Sequence, residues 1–154
     1  MGLFDYPGTV PQDAALAEIT FLGELSEAEW ARILRLVETR QFRAGEDLIR
    51  TGEKDDSFYI LTNGEVDVVI GSGSTQTTLA TITEGSVFGE IAFFDREPRS
   101  ATIRARSQGS AVRITRENFD NLAAWEPNIA RQILLDLGRI LAIRLRWTTG
   151  QAST

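Results

Sequence analysis

Between Arg40 and Thr115 glycines at 45, 52, 64, 71, 73, 85 and 109 cut the chain into short β-rich runs, and this punctuation constrains the fold more than any other feature. The runs are Gln41–Arg43, Asp47–Arg50, Phe58–Thr62, Val66–Ile70, Thr78–Ile82, Thr102–Arg106 and Ala111–Thr115. Short strands at this spacing, separated by turn residues, predict an antiparallel barrel or jelly roll and not a parallel sheet with crossover helices. No strict internal repeat accompanies them.

On either side of this region the hydrophobic period lengthens to that of a helix. Upstream, Ser26 and Glu29 form a capping box, Leu25 and Trp30 are placed as a hydrophobic staple, and Trp30, Ile33, Leu34 and Val37 recur at helical intervals. The spacing predicts a helix over Glu27–Glu38. Before it, Pro7, Gly8 and Pro11 mark an irregular arm leading to a short helical segment over Asp13–Ile19. Downstream, Asn118–Trp125 reads as a short helix, and Pro127 opens a longer one, because its missing N–H costs nothing in a first turn. Ile129, Ile133, Leu137, Ile140, Leu141 and Arg144 fall on one side of it, with Leu134 and Leu145 widening the stripe. It is expected to end near Trp147. The fold class is thus mainly β with flanking α: an antiparallel β-roll or jelly roll of about eight strands, with an N-terminal helical segment and two C-terminal helices. The domain is expected to span 20–147, between an arm at 1–19 and a flexible tail at 148–154.

One such domain is what 154 residues with 42% apolar content can build. The net charge of −6 argues against a general affinity for polyanions. No nucleic-acid partner and no membrane insertion are expected, since no apolar run approaches the roughly 18 residues of a membrane span. The N-terminus lacks the basic start and apolar stretch of a secretory signal, so a cytoplasmic location is the default. Cysteine and histidine are both absent, which removes disulfides, thiolate zinc sites, cysteine nucleophiles and imidazole bases together. The expectation is no catalytic residue, no metal site and no cofactor.

The segment that carries chemistry runs from Gly85 through Phe88-Gly89-Glu90-Ile91-Ala92-Phe93-Phe94 to Pro98-Arg99-Ser100-Ala101-Thr102. A short helix starting just after Gly89 points free backbone N–H groups outward at its first turn, which suits an anion. Gly89 lets a ligand approach the backbone closely. Arg99 arrives after a Pro-stiffened turn, and its guanidinium can add a two-pronged bond to phosphate oxygens. A carboxylate beside a phosphate is useful only if the ligand also presents a hydroxyl, and Glu90 can accept from one, such as a ribose 2′-OH.

The run Phe88-Gly89-Glu90-Ile91-Ala92 with Pro98-Arg99-Ser100-Ala101-Thr102 resembles the phosphate-binding cassette of the cyclic-nucleotide-binding domain family, including the step from Glu90 to Arg99. The likeness extends to Gly45-Glu46-Asp47-Leu48-Ile49, Gly52, Asp56-Ser57-Phe58-Tyr59-Ile60-Leu61, Gly64 and Val66-Asp67-Val68, which are similar to the first half of that family's β-roll. The resemblance implies a stand-alone sensor of a 3′,5′-cyclic nucleotide, with cAMP favoured and cGMP the other candidate. It implies that Arg99 binds the exocyclic phosphate oxygens and Glu90 the ribose 2′-OH. Backbone amides around Gly89, Ile91 and Ala92, with Ser100, would complete the cradle, in which Phe88 and Ala101 also lie. Two residues depart from the pattern. Phe93 and Phe94 replace a smaller aliphatic pair, and Ser100 stands where similar domains carry Ala when they favour cAMP and Thr when they favour cGMP, so serine leaves the base choice open. The final helix of similar domains covers the base, which makes Arg144 or Trp147 the candidate lid. Output then passes to a protein partner in trans or to a self-association surface.

Each of these residues has an ordinary reading as well. Arg99 can be a surface arginine paired with Glu97 or Asp95, and Glu90 a helix-start carboxylate favoured by the macrodipole. Phe88 reads as core. Asp55 and Asp56, adjacent acids in a Gly-bounded turn, read as solvated. Among rival functions, a metal-dependent jelly-roll enzyme of the cupin type lacks the histidines for its usual site. A protein-interaction or regulatory module of a channel or transporter that keeps the fold without the ligand is opposed by the intact Glu90 and Arg99.

Overall fold

A computed structural model describes the backbone of residues 21–152 and the side chains of residues 21–146. The helical segment expected over Asp13–Ile19, and with it the arm at 1–19, lies outside the described residues. Helix α1 spans Glu27–Leu34 and begins on the expected capping box: the Glu29 amide donates to Ser26 Oγ at 3.2 Å and the Ser26 amide to Glu29 Oε1 at 3.0 Å. It ends earlier than Glu38 because the sheet recruits that residue. Glu38 is already the first residue of β1, paired with Arg113 across an antiparallel ladder.

Eight strands follow: β1 Glu38–Phe42, β2 Asp47–Ile49, β3 Phe58–Asn63, β4 Val66–Ile70, β5 Thr77–Ile82, β6 Val87–Phe88, β7 Thr102–Ala105 and β8 Gly109–Ile114. They form two antiparallel four-stranded sheets, ordered β1-β8-β3-β6 and β2-β7-β4-β5. This is the β-roll expected from the glycine punctuation. The one strand without a signal of its own is β6, which has two residues and depends on pairing with Tyr59 and Ile60.

Strand β3 explains how the layers stack. Its Phe58-Tyr59-Ile60-Leu61 run is buried on both faces. Tyr59 and Leu61 point between the sheets, into a core with Phe42, Ile49, Val68 and Ile103, whereas Phe58 and Ile60 point outward into a second core shared with the helices. A strand buried on both faces reads as a continuous apolar run, as here. The register also needs glycine at 109, since a Cβ there would lie 2.1 Å from the Asn63 carbonyl oxygen.

Three further helices join Ile33 of α1 in closing the second core. Helix α2 is Glu90–Asp95, α3 is Arg116–Trp125 and α4 is Pro127–Ala152. Thr115 caps α3 by accepting from the Asn118 amide at 2.9 Å. On α4 the expected stripe holds for Ile129, Ile133, Leu137, Ile140 and Arg144, all buried. Leu141 and Leu145 are only partly covered, and Leu134 is 41% exposed, so it does not widen the stripe. The helix also runs through Ala152, past Trp147, so 148–152 continue it and do not form the expected tail. Once a helix is nucleated each further residue adds one hydrogen bond, and no proline interrupts this stretch.

Candidate ligand-binding site

The cassette is assembled where β6 turns into α2. Gly89 caps α2 in the left-handed region at φ +79°, which side-chain-bearing residues rarely adopt. A Cβ there would also sit 3.0 Å from both Arg99 Nη1 and Ile49 Cδ1, so conformation favours glycine and a side chain would have to displace these two side-chain ends. Phe88, immediately before it, stacks on Tyr59 with ring centroids 4.8 Å apart and is core, as its ordinary reading held.

Arg99 is not a surface arginine. It is 5% exposed, and its backbone is tied on both sides to the turn before β3: its amide donates to the Glu53 carbonyl and its carbonyl accepts from Gly52, each at 2.8 Å. The side chain donates from Nη1 to the Gly89 carbonyl at 2.7 Å and from Nη2 to the Ser57 carbonyl at 2.6 Å. Its acidic partner is Asp55, at 3.2 Å, and not Glu97 or Asp95. Asp95 instead accepts from the Glu97 amide in a local turn. Nε of Arg99 is buried and has no hydrogen-bond partner among the described residues.

Asp55 therefore has a structural role that sequence reasoning missed. It accepts from the Ser57 amide at 3.1 Å and hydroxyl at 2.9 Å, and it joins Arg99 to Arg113 on β8, whose Nη2 lies 3.2 Å away. Burial acts most strongly on its carboxyl and favours protonation. The Ser57 hydroxyl, the Arg99 charge and the Ser57 amide together outweigh burial and hold the Asp55 pKa below the ordinary carboxylate value. Asp56, by contrast, faces solvent beside Arg96, in keeping with the solvated reading. The Asp55-to-Ser57 turn was legible, since Asp commonly accepts from the amide two residues on; its distant arginines were not.

Glu90 is fully buried and forms an ion pair with Arg144. The Arg144 guanidinium pairs with Glu90 Oε1 and donates from Nη2 to the Val87 carbonyl at 3.1 Å. The candidate lid arginine thus sits on the carboxylate expected to hold a ribose, and is 6% exposed rather than open above a base. Ala92 and Ala101 are buried, Ile91 is half-buried, and Ser100 is exposed at the rim. The side chain of Trp147, the other lid candidate, lies outside the described residues. Among the described residues no group of His, Cys, Asp and Glu is arranged to hold a metal, and no helix is long and apolar enough to cross a membrane.

Comparison with known proteins agrees with this architecture. The family described as "Cyclic nucleotide-binding domain" matches residues 39–124, more than half of the chain. The chain is 32% identical over 120 residues to a cAMP-dependent protein kinase regulatory subunit of Emericella nidulans, covering 78% of this chain and 29% of that protein. It is 33% identical over 136 residues to Glutaminase 2 of Bradyrhizobium diazoefficiens, covering 88% of this chain and 21% of that protein. The chain therefore spans less than a third of the length of these curated relatives. Among solved structures, a cyclic nucleotide-binding domain from Methylobacillus flagellatus superimposes with a TM-score of 0.75 at 22% identity, over 91% of this chain and 79% of that one, which matches the fold. With the family's profile covering most of the roll and the cassette seated where β6 meets α2, this chain belongs to the cyclic nucleotide-binding domain family.

Proposed function

We propose that the chain is a non-catalytic regulatory module that binds a 3′,5′-cyclic nucleotide, cAMP in preference to cGMP, and signals by moving its C-terminal helices. The observation that carries this reading is the presence of two buried, oppositely charged side chains on one cassette, Glu90 at the start of the six-residue helix α2 and Arg99 after its end. A cyclic nucleotide presents the complementary pair, an anionic phosphate and a ribose hydroxyl. The unpartnered Nε of Arg99 leaves donor capacity for a phosphate oxygen, and a buried donor without a partner costs about 1–3 kcal/mol. The cAMP preference is supported by the relative named as cAMP-dependent, while Ser100, exposed at the rim, is compatible with either base.

In this mechanism the ribose hydroxyl meets Glu90 in competition with Arg144. A ligand that draws Glu90 away loosens α4, and one that shares it tightens α4; either way ligand and helix position are linked by the differential affinity for the two states.

A second reading has its own observation. Glu90 and Arg99 already have protein partners, Arg144 and Asp55, so the cassette's charges are compensated within the chain. That arrangement also suits a ligand-free interaction module. Calorimetric titration of nucleotide-free protein with cAMP and cGMP separates the two: micromolar or tighter binding that depends on Arg99 supports the sensor, and no heat with folded, empty protein supports the module.

A further inference from the structure

We propose that Arg116 is a positioning residue that couples the cassette helix to the C-terminal helices through Phe93. The proposal rests on the sensor reading above and adds a residue that the cassette resemblance does not include. Arg116 is the first residue of α3 and makes two contacts with one residue of α2: Nη2 donates to the Phe93 carbonyl, and the guanidinium carbon lies 4.9 Å from the centroid of the Phe93 ring. A cation over an aromatic face and a cation at a free carbonyl of a helix C-terminus are both attractive, for the ring quadrupole and the backbone dipoles each present negative charge. Arg116 has no carboxylate within ion-pair distance among the described residues, so these contacts to Phe93 are what compensate its charge.

Phe93 is well placed to transmit movement. It is 1% exposed and makes edge-on contacts with Phe58 of β3 at 4.9 Å and Phe119 of α3 at 5.4 Å. Helix α3 therefore grips Phe93 at two positions three residues apart, Arg116 and Phe119, which share a helix face. The other end of α2 is gripped by α4, through Glu90 and Arg144. An arginine from each of the two C-terminal helices thus holds one end of the same six-residue helix. A displacement of Glu90 carries Phe93 with it, because the two residues are about one turn apart on one rigid helix. The Phe at position 93, in place of a smaller aliphatic, supplies the ring that the guanidinium covers. Nε of Arg116 is buried without a partner, so this arrangement leaves the guanidinium partly unsatisfied and open to a second set of contacts.

The test uses Arg116→Met, which keeps the stem over the ring and removes charge and donors, beside Arg116→Lys, which keeps the charge. Amide exchange is measured over residues 89–95 and 116–146 with and without cAMP. The expected result is that Arg116→Met binds cAMP within about tenfold of wild type and still protects 89–92. In that variant the cAMP-dependent change over 116–146 falls by more than half, and Arg116→Lys lies between. A full change over 116–146 in Arg116→Met overturns the coupling. If that variant does not fold, Phe93→Leu removes the ring while keeping the carbonyl, and the same partial loss is required. If wild type binds neither nucleotide, the sensor reading fails and the coupling is read without ligand. Glu90→Gln, which weakens the grip on Arg144, should then raise exchange at the start of α3 in wild type and not in Arg116→Met; equal increases overturn the proposal.

Discussion

Glu90 and Arg144 meet as an ion pair 54 residues apart in sequence, with side chains 0% and 7% exposed. Arg144 also holds the Val87 carbonyl, so one guanidinium secures both the strand entering the cassette and the helix leaving it. Removing one member of a buried pair strands the other, at a typical cost of about 3–5 kcal/mol. Arg144→Met is expected to lose stability in that range in urea denaturation, and the double variant Glu90→Gln with Arg144→Met to recover part of it. A single variant as stable as wild type would show that the pair holds nothing.

Arg99→Ala is expected to weaken cAMP binding by about 1.5–3 kcal/mol, roughly 10- to 150-fold, as for a lost hydrogen bond to a charged group. On the ribose side, a 2′-deoxy analogue should bind wild type less well than cAMP does, but bind Glu90→Ala equally. Titration calorimetry reads both. An Arg99→Ala affinity close to wild type would remove Arg99 from the phosphate, and a full deoxy penalty in Glu90→Ala would remove Glu90 from the ribose.

Acid should loosen the cassette through Asp55. Its folded-state pKa lies below the ordinary value of 3.8, so its stabilising contribution is complete above that value and is lost as the pH falls through the depressed folded one. Wild type is expected to be more stable than Asp55→Asn at neutral pH, with the difference shrinking below pH 3.8. Unfolding curves of both proteins from neutral to acid pH check this, and a difference that grows on acidification contradicts the assignment.

Asp136 on α4 anchors the start of the described chain. It is 4% exposed and accepts from the Leu22 amide and from Gln132 Nε2, each at 2.9 Å. Leu22 sits at φ +56°, a left-handed conformation unfavourable for leucine, and is itself buried. Asp136→Ala leaves its buried amide without an acceptor and is expected to cost about 1–3 kcal/mol. Asp136→Asn, which retains one carbonyl acceptor, should cost less. Thermal unfolding ranks the three proteins.

Much of this architecture can be read from local signals. The Ser26–Glu29 box, the glycine-bounded strands, Pro127 opening α4 and the short helix starting just after Gly89 each depend on neighbours in sequence and fall where the residues predict. The end of α1 was misread because Val37 continues the helical period, while the β8 ladder takes Glu38. Strand β6 has too few residues to carry a period, and only the edge of β3 makes it a strand.

The cassette divides in the same way. Which residues bring glycine and the two charges to the cassette, Gly89, Glu90 and Arg99, can be read from the sequence alone, because they lie in one short segment. Their partners were decided only by the tertiary structure. Asp55 meets Arg99 and Arg113, Arg144 meets Glu90, and Arg116 meets Phe93 across intervals with no period. A long charged side chain gives no sign in sequence of which buried opposite charge or ring it will reach. That choice belongs to the packing of β3, α2 and α4, which removes water from these groups and leaves each guanidinium only the acceptors the fold brings to it.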